Sequence, residues 1–76
     1  MSQVKKLSDL EVGDVGNILE LNLPKTLKSK LMSLGFTEGA RIECIGKSPL
    51  GDPAAYLIRG GVVALRIEDC DNIIVL

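Results

Sequence analysis

The tripeptide Gly46-Lys47-Ser48 is the first place in this chain where residue types suggest chemistry. A lysine and a hydroxyl at the end of a glycine-rich loop can cradle phosphate oxygens. That motif also needs a glycine five positions before Gly46 and a helix after the hydroxyl. Arg41 stands at the first place and Pro49 at the second, so nucleotide binding by this tripeptide is not expected. Metal chemistry fares no better. There is no histidine, and Cys44 and Cys70 lie far apart with no second ligand beside either, so no zinc spacing exists. Glu68, Asp69 and Asp71 make an acidic turn that can at most hold a hard cation weakly. The serines lack a histidine base, which leaves no nucleophilic constellation. Asp52 is expected to accept backbone N–H bonds within its own loop rather than act as an acid. The chain reads as a non-enzyme without cofactor or metal.

What remains is a presentation device. In Ser48-Pro49-Leu50-Gly51-Asp52-Pro53, two prolines fix φ and push the residues before them toward extended geometry. Gly51 supplies the free backbone between them. The loop is stiff and holds Leu50 at its tip, where it either packs under a neighbouring turn or docks on a partner. Tyr56, on the strand that follows, is a second contact candidate. Lys25 and Lys28 fall near the start of an expected helix, where the helix dipole disfavours cations. Either solubility or an acidic partner surface accounts for them. Lys30 lies beside them on the polar side.

Composition narrows the partners. A chain of 76 residues is one small domain, residues 1–76, burying roughly 60 % of its unfolded surface. Its apolar content, 46 %, and positive mean hydropathy argue for a folded core. The net charge is −1, and neither half is basic. With one Phe, one Tyr and no Trp, the electrostatic footprint and the stacking platform of a nucleic-acid binder are both missing. No apolar run approaches the roughly 18 residues of a membrane span. The start, Met1-Ser2-Gln3-Val4-Lys5-Lys6, has no h-region, so a cytoplasmic location is expected. Two cysteines fit that reducing compartment as small buried hydrophobes, and no disulfide is expected.

The elements that position these residues are short. Leu7 to Leu10 reads as an anchoring turn with Ser8 as its cap, and Val12-Gly13-Asp14 as a second turn. Val15 to Leu21 reads as the first strand. Pro24 breaks it, and Thr26 is placed to cap a helix whose Leu27, Leu31 and Leu34 share one face. Gly35 suits the position after that helix, with Phe36 folding back onto Leu31. Thr37 to Ala40 suits a β-turn. Arg41–Lys47, Ala55–Arg59, Val62–Ile67 and Ile73–Leu76 read as four further strands, with Gly60-Gly61 as a two-residue hairpin loop and Glu68 to Asn72 as a polar turn. Five short strands, tight turns and one helix in the first connection predict a mainly β protein closed into a small barrel.

Three segments in order carry a resemblance. Leu31-Met32-Ser33-Leu34-Gly35-Phe36-Thr37-Glu38-Gly39 is similar to the Leu-x-x-Leu-Gly-Phe-x-x-Gly segment of the FeoA family. Ser48 to Pro53 resembles that family's Pro-Leu-Gly-Asp-Pro loop. Arg59-Gly60 and Val63-Ala64-Leu65-Arg66 resemble its arginine-glycine hairpin and Ala-Leu-Arg strand. The tripeptide before Pro49 and the acidic turn near Cys70 match only loosely.

The resemblance implies a five-stranded SH3-like barrel with a short helical insertion after the first strand. It further implies an accessory protein of ferrous iron uptake that contacts FeoB, a membrane ferrous iron transporter with a cytosolic GTP-binding domain. The chain would then be cytoplasmic and peripheral to the inner membrane through its partner, with no insertion of its own. On that reading Leu50 is the hydrophobic contact, presented by Pro49, Gly51, Asp52 and Pro53, with Tyr56 nearby. Lys25, Lys28 and Lys30 steer toward acidic surface. Two alternatives come from other classes. SH3-like domains of this type occur at the C-terminus of iron-dependent repressors, although this chain begins with Met1 and carries no helix-turn-helix, which favours a stand-alone protein. A weak ferrous iron sensor would use Glu68, Asp69 and Asp71. The SH3-like label does not bring proline-rich peptide binding with it, because only Phe36 and Tyr56 are aromatic. A barrel edge or the Leu50 loop offers a route to homo-oligomers.

Overall fold

A computed structural model describes residues 3–76. Six strands form one antiparallel sheet, β1 (Lys5–Lys6), β2 (Val15–Leu21), β3 (Arg41–Lys47), β4 (Ala54–Ile58), β5 (Gly61–Leu65) and β6 (Ile73–Val75). Their order is β1-β6-β2-β3-β4-β5. The architecture is mainly β, with two differences from the five-stranded barrel expected. The sixth strand is β1, only two residues long and paired with β6. Among the described residues β5 does not pair with β1, so the sheet curls without closing.

The curl is built into β2. Its first half, Val15 to Asn17, pairs with β3, and its second half, Ile18 to Leu21, pairs with β6 through a bulge. A strand that changes partner at a bulge turns the sheet back on itself. The concave side then encloses Ile18, Ile42, Cys44, Tyr56, Ile58, Ile73 and Val75, all buried. Leu7, in a 3₁₀ turn at Leu7–Asp9, and Leu10, just after it, join the same core. Ser8 does not cap that turn. The Asp9 carboxylate accepts the Lys6 N–H at 3.1 Å instead, while Ser8 Oγ donates to Asp71 Oδ1 at 2.5 Å, across most of the chain's length.

Helix α1 spans Lys25–Ser33 and sits between β2 and β3. Pro24, not Thr26, occupies the N-cap. Its fixed φ starts the helix, and its carbonyl accepts the Lys28 N–H at 2.8 Å. The other end closes as expected. Phe36 N–H donates to Leu31 O at 3.0 Å and Gly35 N–H to Met32 O at 3.1 Å, the pair of bonds that defines a Schellman cap. Gly35 has φ +107°, which a side chain would resist. Leu31 and Phe36 are buried together and Leu27 packs partly against the core, but Leu34 is half-exposed.

Two boundaries differ at the C-terminal half. The β4–β5 hairpin pairs Ile58 with Gly61, so its two-residue loop is Arg59-Gly60 rather than Gly60-Gly61. Both loop residues have positive φ, as a primed turn requires. Strand β5 ends at Leu65. Ile67 begins a short helix, α2 (Ile67–Cys70), in place of the polar turn.

Candidate functional site

The Ser48–Pro53 loop joins β3 to β4 and is held by three hydrogen bonds. Gly51 N–H donates to Ser48 O at 2.7 Å, closing a β-turn across Pro49 and Leu50. Serine first, proline second and glycine fourth is the preferred order of a type I turn, and Leu50 has no positive φ that would make it type II. Ser48 N–H donates to Pro53 O at 3.1 Å, which shuts the base of the loop. The third bond reaches outside. Asp52 Oδ1 accepts the Ile67 N–H at 3.1 Å, at the first turn of α2. Asp52 was expected to bond within its own loop. It ties the loop to α2 instead, placing a carboxylate where the helix start has unpartnered N–H groups. The Asp52–Pro53 peptide is cis.

On this frame Leu50 is 94 % exposed, the most exposed large apolar residue described. The stiff loop therefore does not pack its tip under a neighbouring turn. Placing a leucine side chain wholly in water forgoes the roughly 1.5–3 kcal/mol that burial would return. Pro49 and Asp52 are exposed beside it, with Gly51 partly covered.

Tyr56 is corrected as a contact residue. It is fully buried, facing Cys44 across the β3–β4 pair. Its position in β4, alternating with Ala54 and Ile58 on the inward face, puts it in the core. No group meets hydrogen-bond geometry with its hydroxyl, whose polar neighbour is the Cys70 thiol. Burial, with the nearby Cys70 and Cys44 thiols adding to it, holds the phenol well above its ordinary range. Burial also pushes the Cys70 thiol up, and the surrounding Asp69, Asp71 and Asp52 carboxylates reinforce the shift, while the Tyr56 hydroxyl works against it. Both cysteines are free and buried.

The remaining candidates do not assemble into a chemical centre. Lys47 Nζ lies 3.5 Å from a Glu11 carboxylate oxygen, and Ser48 Oγ is buried with no partner among the described residues, so the Gly46-Lys47-Ser48 hydroxyl and amine serve no common site. In the acidic segment, Glu68 and Asp69 both engage Arg66, at 3.1 and 3.5 Å, and Asp71 accepts from Ser8. Among the described residues no three or more cysteines and carboxylates are grouped as a metal site would need. No described helix is long and apolar enough to cross a membrane.

Lys25, Lys28 and Lys30 project from α1, which has no carboxylate, and none of the three forms an ion pair among the described residues. Lys30 lines a groove of about 260 Å³ between α1 and β5, floored by Leu27, Leu31, Val63 and Leu65. Sequence reasoning missed this groove. Its signal was the apolar face of α1, on which Leu31 alone is fully buried.

The comparisons place these features in a family. A Porphyromonas gingivalis protein, the Fe(2+) transport protein A/Fe(2+) transporter FeoB fusion protein, is 33 % identical over 90 % of this chain, which spans 8 % of that protein's length. The solution structure of FeoA from Chlorobium tepidum superposes with a TM-score of 0.90 at 30 % identity, over 93 % of this chain and 68 % of that one. FeoA from Stenotrophomonas maltophilia, solved with zinc and described as a procaryotic SH3 domain protein, gives 0.77 at 23 % identity, over 99 % and 91 %. A manganese-dependent transcriptional repressor gives 0.85 at 17 % identity, over all of this chain and 37 % of that one, a likeness of fold alone. The chain matches the FeoA domain over residues 5–76, and with that match it belongs to the FeoA family, with an SH3-like fold.

Proposed function

We propose that this chain is a non-catalytic accessory protein of ferrous iron uptake, working in the cytoplasm by docking on the cytosolic part of the FeoB transporter. The observation that carries the docking reading is Leu50, wholly exposed on a loop fastened at its turn, its base and its Asp52 anchor. Pro49, Gly51, Asp52 and Pro53 set its direction. A rigidly presented apolar side chain loses little conformational freedom on binding, which favours a hot-spot contact.

Two further observations support the partner. The Porphyromonas gingivalis relative carries the two proteins' names in one chain, and fusion gives two modules a high effective concentration. Lys25, Lys28 and Lys30, without an ion pair among the described residues, are suited to steer the encounter with an acidic surface. Attachment at the membrane then comes through the transporter.

The test is capture of the cognate full-length FeoB by this chain at low and moderate salt, in each nucleotide state. Capture that weakens as salt rises is the expected result. Absence of capture in every state removes the direct adaptor role. Equilibrium dialysis with ferrous ion is then the next measurement, with Glu68, Asp69 and Asp71 changed together as its control.

A further inference from the structure

Strand β5 ends the sheet, and its outer edge is unpaired among the described residues. Because the Arg59-Gly60 loop has two residues, the flanking pair Ile58↔Gly61 exchanges both ladder bonds. The alternation then makes Tyr56↔Val63 and Ala54↔Leu65 bonded pairs, and leaves Leu57↔Val62 and Ala55↔Ala64 unbonded. The N–H and C=O groups of Val62 and Ala64 therefore point out of the free edge. Gly61 to Leu65 contains no charge and no proline, two of the devices by which natural edge strands avoid pairing.

The groove between α1 and β5 runs along this same edge. Its helix side offers Leu27, Leu31 and Leu34, and its strand side Val63 and Leu65. Leu34 is half-exposed here, the one leucine of the helix stripe left without a burial partner. The polar groups around the groove are Lys30, Arg66 and Asp69. Arg66 is shared between Glu68 at 3.1 Å and Asp69 at 3.5 Å, whereas Lys30 has no carboxylate partner among the described residues.

We propose that this groove takes an extended segment of a partner protein as an added strand on β5. Its alternate side chains would be apolar and enter between α1 and β5, while those in between, on the opposite face of the added strand, would be acidic and drawn by the lysines of α1 at longer range. Main-chain bonds to Val62 and Ala64 supply the attachment, and the apolar groove selects the side chains, which is how strand addition divides the work. An acidic segment fits because α1 presents three lysines and no carboxylate. No residue of the Ser48–Pro53 loop takes part, so the inference stands apart from docking by Leu50.

The experiment titrates the full chain, labelled with nitrogen-15, with a capped decapeptide of alternating valine and glutamate, followed by NMR. A second titration uses the same peptide with lysine in place of glutamate. The expected result is movement of the Val62 and Ala64 amide signals, with the glutamate peptide binding about tenfold more tightly. The Ala64→Pro variant removes an outward N–H that β4 does not use, which an edge strand tolerates. It is expected to keep a native spectrum and lose about tenfold in affinity, and Lys30→Glu to weaken the glutamate peptide similarly. The inference is overturned by equal affinities for the two peptides, by no movement of Val62 and Ala64 at millimolar peptide, or by unchanged binding in both variants. Movement of those signals with protein concentration alone would assign the edge to a second copy of the chain, and would overturn it too.

Discussion

The side chain of Arg59 lies across Gly35 so closely that a Cβ on that glycine would stand 2.5 Å from Arg59 Cγ. This contact joins the α1 cap to the β4–β5 hairpin, and Arg59 reinforces it by donating from its guanidinium to Thr37 Oγ1 at 3.3 Å. Arg59 has φ +52°, a conformation a non-glycine residue adopts at a cost. The two left-handed residues thus face each other. Gly35→Ala is expected to destabilise the chain by at least about 2 kcal/mol, from the unfavourable φ and the collision together. In a double-mutant cycle, Arg59→Gly should recover part of that loss, because it removes the obstructing arm and relieves its own φ. Urea unfolding of the four proteins measures the coupling, and strict additivity would show that the two residues act separately.

Leu31 and Leu34 belong to one helical stripe but lie in different environments. Leu31 is buried and accepts the Schellman bond from Phe36, whereas Leu34 is half-exposed. Leu31→Ala is expected to cost about 2–5 kcal/mol and Leu34→Ala less than about 1 kcal/mol. Thermal unfolding monitored by circular dichroism separates the two. Equal losses would mean that Leu34 is covered in solution.

Tyr56 and Cys70 set an alkaline limit. Both groups titrate above their ordinary values in the folded chain. The unfolded chain therefore releases these protons first as pH rises, and the folded chain binds more protons in that range. Stability is intact below about pH 8 and falls as pH climbs through the unfolded values of about 8.5 for a thiol and 10 for a phenol. Tyr56→Phe removes a buried hydroxyl without a good partner, so stability at neutral pH is expected to be unchanged or raised by about 1 kcal/mol. The variant should also lose stability less steeply above pH 9, with Cys70 accounting for the residual slope. A loss of stability at neutral pH would show that the hydroxyl has a partner worth keeping.

Asp52 secures the loop from a distance. Its carboxylate accepts the Ile67 N–H, so Asp52→Ala is expected to cost about 1 kcal/mol and to speed amide exchange at Ile67 and Gly51. Unchanged exchange at Gly51 would mean that the turn holds without its anchor.

The features legible in the sequence were those made by neighbours. The Schellman cap at Gly35 and the turn at Thr37–Ala40, closed by Ala40 N–H to Thr37 O at 3.0 Å, follow from local φ preferences. The loop that raises Leu50 follows from two prolines and a glycine, but the exposure of its tip was open until the fold was seen. The misplaced features were set from afar. Ile67 continues the alternation of Val63 and Leu65, so the sequence reads on as strand, yet Asp52 from another loop supplies an acceptor that helps begin a helix there. Arg59 takes a left-handed turn position that glycine normally fills, because Gly35 and Thr37 receive its arm. Tyr56 suggested a contact by its place on the strand after the loop, while its alternation with Ala54 and Ile58 already placed it inward. The groove was legible only on its helix side, since no local pattern brings the strand edge that completes it beside that face.

The affinity of the cognate FeoB cytosolic part for wild-type chain and for Leu50→Ala, measured by calorimetry beside their melting temperatures, tests the docking role most directly. With Leu50 as the contact, the substitution weakens binding about tenfold or more while the melting temperature stays within about 2 °C. Equal affinity at equal stability would contradict it.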